Sequence, residues 1–343
     1  MSAPDMDGPA RSCARLMRRH CVASSTTSGT SERPPLDLSG TKNRQFVEHV
    51  IRYALIACSL VTIGTTVGII GILLVEAWQF FADVPVFDFL FGTTWTPLFA
   101  GQESYGVLPL VAGTLMTTAV SAVISIPLGL AAAIYLSEIA SDRTRSVLKP
   151  ALEVLAGVPT IVYGFFALTF ITPTLLDPIL PRLGTFNGLA AGIAIGIMAL
   201  PTVASLSEDA IRAVPRSLRE AAYALGATRL ETTVRVIVPA AISGIVASFI
   251  LALSRAIGET MIVAVAAGQA PAGQSGGSSG WWDLTQSMQT MTGFIAYTFT
   301  SDVSRSSTAF SSLFGVALLL FGMTFLMNLL SQWVTNRYRE EYE

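Results

Sequence analysis

The sequence predicts an all-α polytopic membrane protein with six transmembrane helices, on three observations. Of its 343 residues, 52% are hydrophobic and only 13% charged, against about 25% charged in an ordinary soluble domain. Six apolar stretches are long enough, at about 20 residues each, for a helix to cross the bilayer core: about 51–75, 107–136, 151–171, 187–206, 240–267 and 309–334. The segments between them alternate between rich and poor in Arg and Lys.

Residues 1–45 are expected to be a disordered cytoplasmic tail, and 46–343 a single membrane domain. In the tail "RSCARLMRRH" leads into "VASSTTSGTSERPP", which has no apolar periodicity. No apolar core follows the arginines, so this is not a secretory signal. Cys13, His20 and Cys21 lack the paired spacing of a zinc site, and with Cys58 they are too few for a disulfide framework. No metal and no cofactor is expected.

With the tail taken as cytoplasmic, the basic residues sort by side. Eighteen Lys and Arg fall in the tail and start of the first span, in 137–150, in 207–239 and at the C-terminus. The three opposite segments hold only Arg182 and Arg305. That bias puts both termini inside. The second span is long, and Pro127 within it permits a kink. In the fourth, Gly188, Gly192 and Gly196 line one face, where another helix can approach closely. Gly64 and Gly68 make the same pattern in the first, or are glycines that a membrane helix merely tolerates.

The largest inner segment, "EDAIRAVPRSLREAAYALGATRLETTVRVIVPAA", reads as helix, turn, helix. Pro215 and Ser217 open the first helix, and Gly226 ends it by taking the left-handed conformation. Thr228 and Glu231 form a capping box for the second, which runs to about Val238. Ala221, Ala222 and Gly226 leave a low surface suited to docking in a partner's groove. The stretch resembles the EAA loop of ABC-importer permeases: Glu220, Ala221, Ala222, Gly226 and Pro239 fall in register, with Val236 and Val238 where that family has Ile and Leu. The resemblance implies a MetI-like ABC permease fold and a coupling helix that docks on a separate ATPase. Neither lysine lies in a Gly-Lys-Ser/Thr phosphate loop, so this chain does not bind the nucleotide itself.

Arg255 and Glu259 stand four residues apart in the apolar 240–267 stretch. On one continuous helix they share a face and can pair. Eleven Leu, Ile, Phe and Val in that span contribute about 3–7 kcal/mol to insertion, against a cost of about 5–7 for the two charges. The pair should therefore face protein or a watered path. Two readings stay open: a structural pair that locks this helix to a neighbour, or an anion site in which Arg255 meets the solute and Glu259 limits its grip.

"LSEDAIRAVPRSLREAAYALGATR", "RAIGETMIVA", "YGVLPLVAGTLMTT" and "SMQTMTGFIA" narrow the resemblance to the permeases of bacterial phosphate importers, with "GETM" closer to the PstC than the PstA subunit. This implies a substrate path through Arg255 and Glu259, ATP-driven uptake of inorganic phosphate, and no bond chemistry in this chain. It also implies three partners: a PstA-like second permease, a PstB-like ATPase dimer and a PstS-like extracytoplasmic phosphate-binding protein. Membrane lipid is the other contact, and no nucleic acid is expected.

The outer segments carry Asp83, Asp88, Glu103, Asp177, Asp283 and Asp302 against two arginines. Such a face repels free anions, which favours delivery by a binding protein. The aromatic stretch 78–99 reads as interfacial, either anchoring in the membrane surface or meeting that protein. "GGSSG" (276–280) lacks the strand and helix of a nucleophile elbow, and Asp283 has no metal-ligating neighbours in sequence. The rivals are an importer of molybdate, tungstate or sulfate, and a secondary carrier or channel. The second leaves the EAA loop unexplained and calls for an inverted repeat that is absent from the sequence.

Overall fold

The computed structural model describes residues 42–99, 101–180, 183–271 and 282–338. Residues 1–41, Arg182 and the "GGSSG" stretch lie outside the described residues. The described residues are helical, with one isolated antiparallel bridge, Trp95 to Tyr105.

They divide into two units within the first helix, α1 (Lys42–Asp83): residues up to Thr66, and residues from Val67 onward. In the first unit the side chains from Phe46 to Thr66 are exposed and mostly apolar. The hydroxyls of Thr62, Thr65 and Thr66 donate to the Cys58 and Thr62 carbonyls at 2.9–3.0 Å. Each of these three hydroxyls is thus satisfied within its own helix, as hydrocarbon surroundings require. Gly64 and Gly68 meet nothing within 4 Å, so the helix contact that their spacing suggests is not made among the described residues.

In the second unit, α2 (Val86–Phe91) is followed by α3 (Leu108–Ile139), whose last five residues form a π turn. Then come α4 (Asp142–Ala156), α5 (Thr160–Leu176) and α6 (Gly188–Ala213). After them follow α7 (Arg216–Ala224), α8 (Arg229–Ala240) and α9 (Ile242–Ile257). The last are α10 (Met261–Ala266), α11 (Met291–Thr300) and α12 (Thr308–Tyr338). Among the described residues α1, α3, α6 and α12 are long and apolar enough to cross a membrane. The pairs α4/α5 and α8/α9 bring the count to six if each is one bent span.

The third span corrects the sequence reading. Instead of one helix over 151–171, the chain turns by 88° between α4 and α5. Pro159 sits at that corner in extended conformation (φ −56°, ψ 131°) and caps α5. A proline disfavours helix at the residue before it, so the helix stops short. α4, with Arg143, Arg145, Lys149 and Glu153, has no fully buried residue, and the apolar half begins at Thr160.

The core is built around α6. Its face bearing Ala190, Ala191, Ala194, Ile195 and Met198 packs on Tyr163, Ala167 and Ile171 of α5 and on Ile262, Val263 and Ala266 of α10. The other face meets α3 along a seam of small residues. A Cβ added at Gly192 would lie 2.6 Å from the Val120 Cβ, and one at Gly196 would lie 3.0 Å from the Ile124 Cβ. Glycine here permits close backbone approach, the main source of helix adhesion in lipid. Pro127 lies inside α3 without interrupting it. At the end near Trp95, the aromatic stretch folds into a cluster of Phe80, Phe89, Trp95 and Phe294, with the Trp95 and Phe294 rings edge to face at 4.8 Å.

Gly192→Ala should overpack this seam and cost about 1–3 kcal/mol, whereas Gly64→Ala should stay within about 0.5 kcal/mol. Thermal unfolding of the two purified variants in detergent checks the contrast.

Candidate functional site

Arg255 and Glu259 do not share a helix. α9 ends at Ile257, Gly258 takes φ −84° and ψ −1°, and α10 starts at Met261. The end is tight: the Gly258 amide donates to the Ser254 carbonyl at 3.3 Å and the Glu259 amide to that of Ala256 at 3.2 Å. Glu259 then turns back on the chain. Its Oε1 accepts from the amides of Met261 at 3.1 Å and Ile262 at 3.3 Å, and its side chain is buried. The Thr292 hydroxyl donates to the Glu259 carbonyl at 2.7 Å, pinning the break to α11.

The expected i, i+4 pair is therefore absent: among the described residues Arg255 and Glu259 form no ion pair. The physical reason is the break, which gives Glu259 two orphan amides to cap. Arg255 lies exposed in the last turn of α9, with Nη1 3.4 Å from the Thr202 Oγ1 on α6. Each charge sits at the helix end whose dipole favours it, carboxylate at the start of α10 and guanidinium at the end of α9.

Residues 207–213 of the expected 207–239 loop continue α6, and α7 with α8 folds into a hairpin. α7 begins after Pro215 and ends where Gly226 takes φ +84°. The Ala227 amide reaches the Ala222 carbonyl at 3.2 Å across this turn. The capping box is complete: the Thr228 amide donates to Glu231 Oε2 at 2.9 Å, and the Glu231 amide to Thr228 Oγ1 at 3.3 Å. The Thr228 amide bond, followed by its hydroxyl, holds the Glu231 carboxyl below its ordinary value. Glu220, Ala221 and Gly226 are exposed, and Leu225 beside them is 90% exposed. Ala222 points inward. Pro239 is separate, at the far end of α8, roughly 18 Å along a twelve-residue helix. There the chain bends by 70° into α9. It positions the hairpin and is no part of the Glu220–Gly226 surface.

Two polar clusters were not anticipated from the sequence. Glu208 is 1% exposed; Arg145 hydrogen-bonds it, and Lys149 Nζ and Arg212 Nη1 lie 3.5 and 3.9 Å away. Glu138, at the end of α3, pairs with Arg219 of α7 at 3.0 Å. Only Glu208 and Arg212 were legible locally, as an i, i+4 pair. At the opposite end Asp83, Asp88 and Glu103 line an open cleft of about 580 Å3 with Tyr105. Burial, then the Glu103 carboxylate that accepts its hydrogen bond at 2.9 Å, pushes the Tyr105 phenol well above its usual range.

Residues 125–340, which include this hairpin, match a known family, the binding-protein-dependent transport system inner membrane component. The chain belongs to that family. Such proteins are ABC-transporter permeases, so this is a multi-pass inner-membrane permease subunit, and permeases of the family are not themselves catalytic. Within the family it is PstC-like. It is 35% identical over 306 residues to the probable ABC transporter permease protein YqgH of Bacillus subtilis, covering 88% of this chain and 94% of that one. It is 33% identical over 288 residues to the phosphate transport system permease protein PstC of Mesorhizobium japonicum, covering 79% and 84%. In fold the permease is similar to a bacterial ABC transporter involved in the import of alginate, with a TM-score of 0.59 at 12% identity. The match covers 87% of this chain and 100% of that one.

Glu259→Ala should uncap α10 and cost about 1 kcal/mol. Glu259→Gln retains an acceptor oxygen and should recover most of that loss. The thermal midpoints of the two purified permease variants test the assignment.

Proposed function

We propose that this permease carries inorganic phosphate inward, forming half of a pathway that a separate ATPase drives. The observation that carries this reading is Arg255: a guanidinium within an apolar span, exposed, with no carboxylate partner among the described residues and only a 3.4 Å hydroxyl contact. An arginine held this way presents several donors to an oxyanion. Glu259 is engaged in capping, so it limits affinity by its charge and not by occupying the guanidinium. The PstC relatives supply the substrate class.

Coupling is assigned to the exposed face of α7 and its turn, Glu220, Ala221 and Gly226, with Leu225 as the apolar contact. Ala222 and Pro239 set the position of this surface. The partners are a PstA-like permease, a PstB-like ATPase dimer and a PstS-like binding protein, which would deliver phosphate past the acidic outer rim. Both termini lie in the cytoplasm, as the basic residues indicate.

The test is reconstitution of the permease pair with the ATPase and binding protein, comparing labelled phosphate with sulfate, molybdate and tungstate. Arg255→Gln should abolish phosphate uptake while the complex still assembles; normal uptake by that variant removes Arg255 from the mechanism. Preference for another oxyanion moves the permease to that substrate. Gly226→Arg should stop the ATPase from co-purifying, and Gly226→Asn, which tolerates the left-handed turn, should retain it. Co-purification at full yield with Gly226→Arg would separate this turn from docking.

A further inference from the structure

We propose that Arg219 is the positioning residue that makes the coupling hairpin rigid with α3 and α6, so that displacement of α7 reaches Arg255. This rests on the reading of α7 as the ATPase contact.

Arg219 holds three acceptors on two other elements. Its Nη1 donates to the Val214 carbonyl at 2.7 Å, and its Nη2 donates to the Ile211 carbonyl at 2.9 Å and to Glu138 Oε1 at 3.0 Å. Ile211 lies in the last turn of α6 and Val214 just past it, so these carbonyls lack helical partners. Glu138 sits in the π turn that ends α3. The side chains of Arg219 and Glu138 are only 17% and 10% exposed. Breaking the pair would leave a half-buried carboxylate without its ion-pair partner, facing a cleft it shares with Arg212 and Arg216, which is unfavourable. A planar fork on three acceptors also fixes direction, which an apolar contact does not.

Beneath the fork lies an apolar cluster. Ala133 of α3, Ile211 of α6, Ile237 of α8, and Ile245 of α9 are buried together, with Leu218 of α7 against them. Only Val214 and Pro215 separate α6 from α7. Beyond the cluster the tight α3–α6 seam runs on, with a Cβ at Gly129 placed 2.7 Å from Val203. Thr202, the next residue of α6, is the one Arg255 touches. A push on α7 is thus transmitted through the fork to two helices that cannot slide past each other, and from α6 to the guanidinium. Without the fork, α7 is held to α3 and α6 by apolar contact through Leu218, which does not fix its direction.

The experiment uses the reconstituted complex with its ATPase and loaded binding protein, and reads phosphate moved per ATP hydrolysed. Arg219→Gln should retain the ATPase on co-purification yet lower that ratio about tenfold, within the usual range for coupling between two sites. Arg219→Lys, a point charge without the fork, should fall between. Glu138→Gln leaves both carbonyl bonds in place and should also lower the ratio, so it decides the matter if Arg219→Gln does not assemble. A purely structural role would reduce yield, or uptake and hydrolysis in step, with the ratio unchanged; that result in both variants overturns the proposal. If the unaltered permease does not bring down the ATPase, the reading of α7 fails instead.

Discussion

The break between Ile257 and Met261 is the constraint on which the site depends. A guanidinium and a carboxylate in an apolar span are each costly to place in hydrocarbon. Pairing them side by side would offset that cost and leave nothing for a solute. The chain instead stops the helix after Arg255 and restarts it after Glu259. The break creates two helix ends, and each charge settles at the end that favours it. Glu259 is consumed by two amides, and Arg255 keeps its donors. The same step that stabilises the fold therefore leaves Arg255 without a carboxylate partner among the described residues, as the proposed anion site requires.

Around the break the architecture assigns different forces to different depths. In the apolar middle, α3 and α6 adhere through Gly129, Gly192 and Gly196, where close contact is available and hydrogen bonds are not needed. Thr114, Thr117 and Thr118 donate their hydroxyls to their own helix, while Ser207 and Ser248 bond each other between α6 and α9 at 2.7 Å. At the hairpin end, long-range pairs take over: Arg145 and Lys149 on Glu208, and Arg219 on Glu138. Carbonyls at the ends of α6 need partners there, and arginine supplies several donors in one plane.

Much of this was legible in the sequence where the signal is local. The hairpin was, because a glycine at φ +84° and a Thr-x-x-Glu box each act within a few residues. The seam was legible from the four-residue glycine spacing on α6, yet the same spacing at Gly64 and Gly68 meets no neighbour among the described residues, since spacing fixes a face and not what approaches it. The Arg255–Glu259 pair misled because i, i+4 reasoning assumes an unbroken helix, and Gly258 was the warning. The turn at Pro159 was missed for a related reason: composition places an apolar run but not its corner. Glu138 and Arg219 are 81 residues apart, and Arg145 and Glu208 are 63, so no window would have joined them.

That last class of contact decides how movement can pass through the protein. A glycine seam resists sliding but has no preferred direction about its axis, so alone it would let α7 rotate without consequence. Directional bonds at one end remove that freedom, and they are effective only where the seam holds the rest of α3 and α6 together. At Pro239 the chain bends by 70° from α8 into α9, and Ile237 and Ile245 on either side of the bend share the buried cluster with Leu218 of α7. In the proposed coupling the directional route from the hairpin to Arg255 runs through α6, by way of Thr202. The proposed anion-binding guanidinium thus meets α6 beside Val203, at the end of the seam nearest the Arg219 fork.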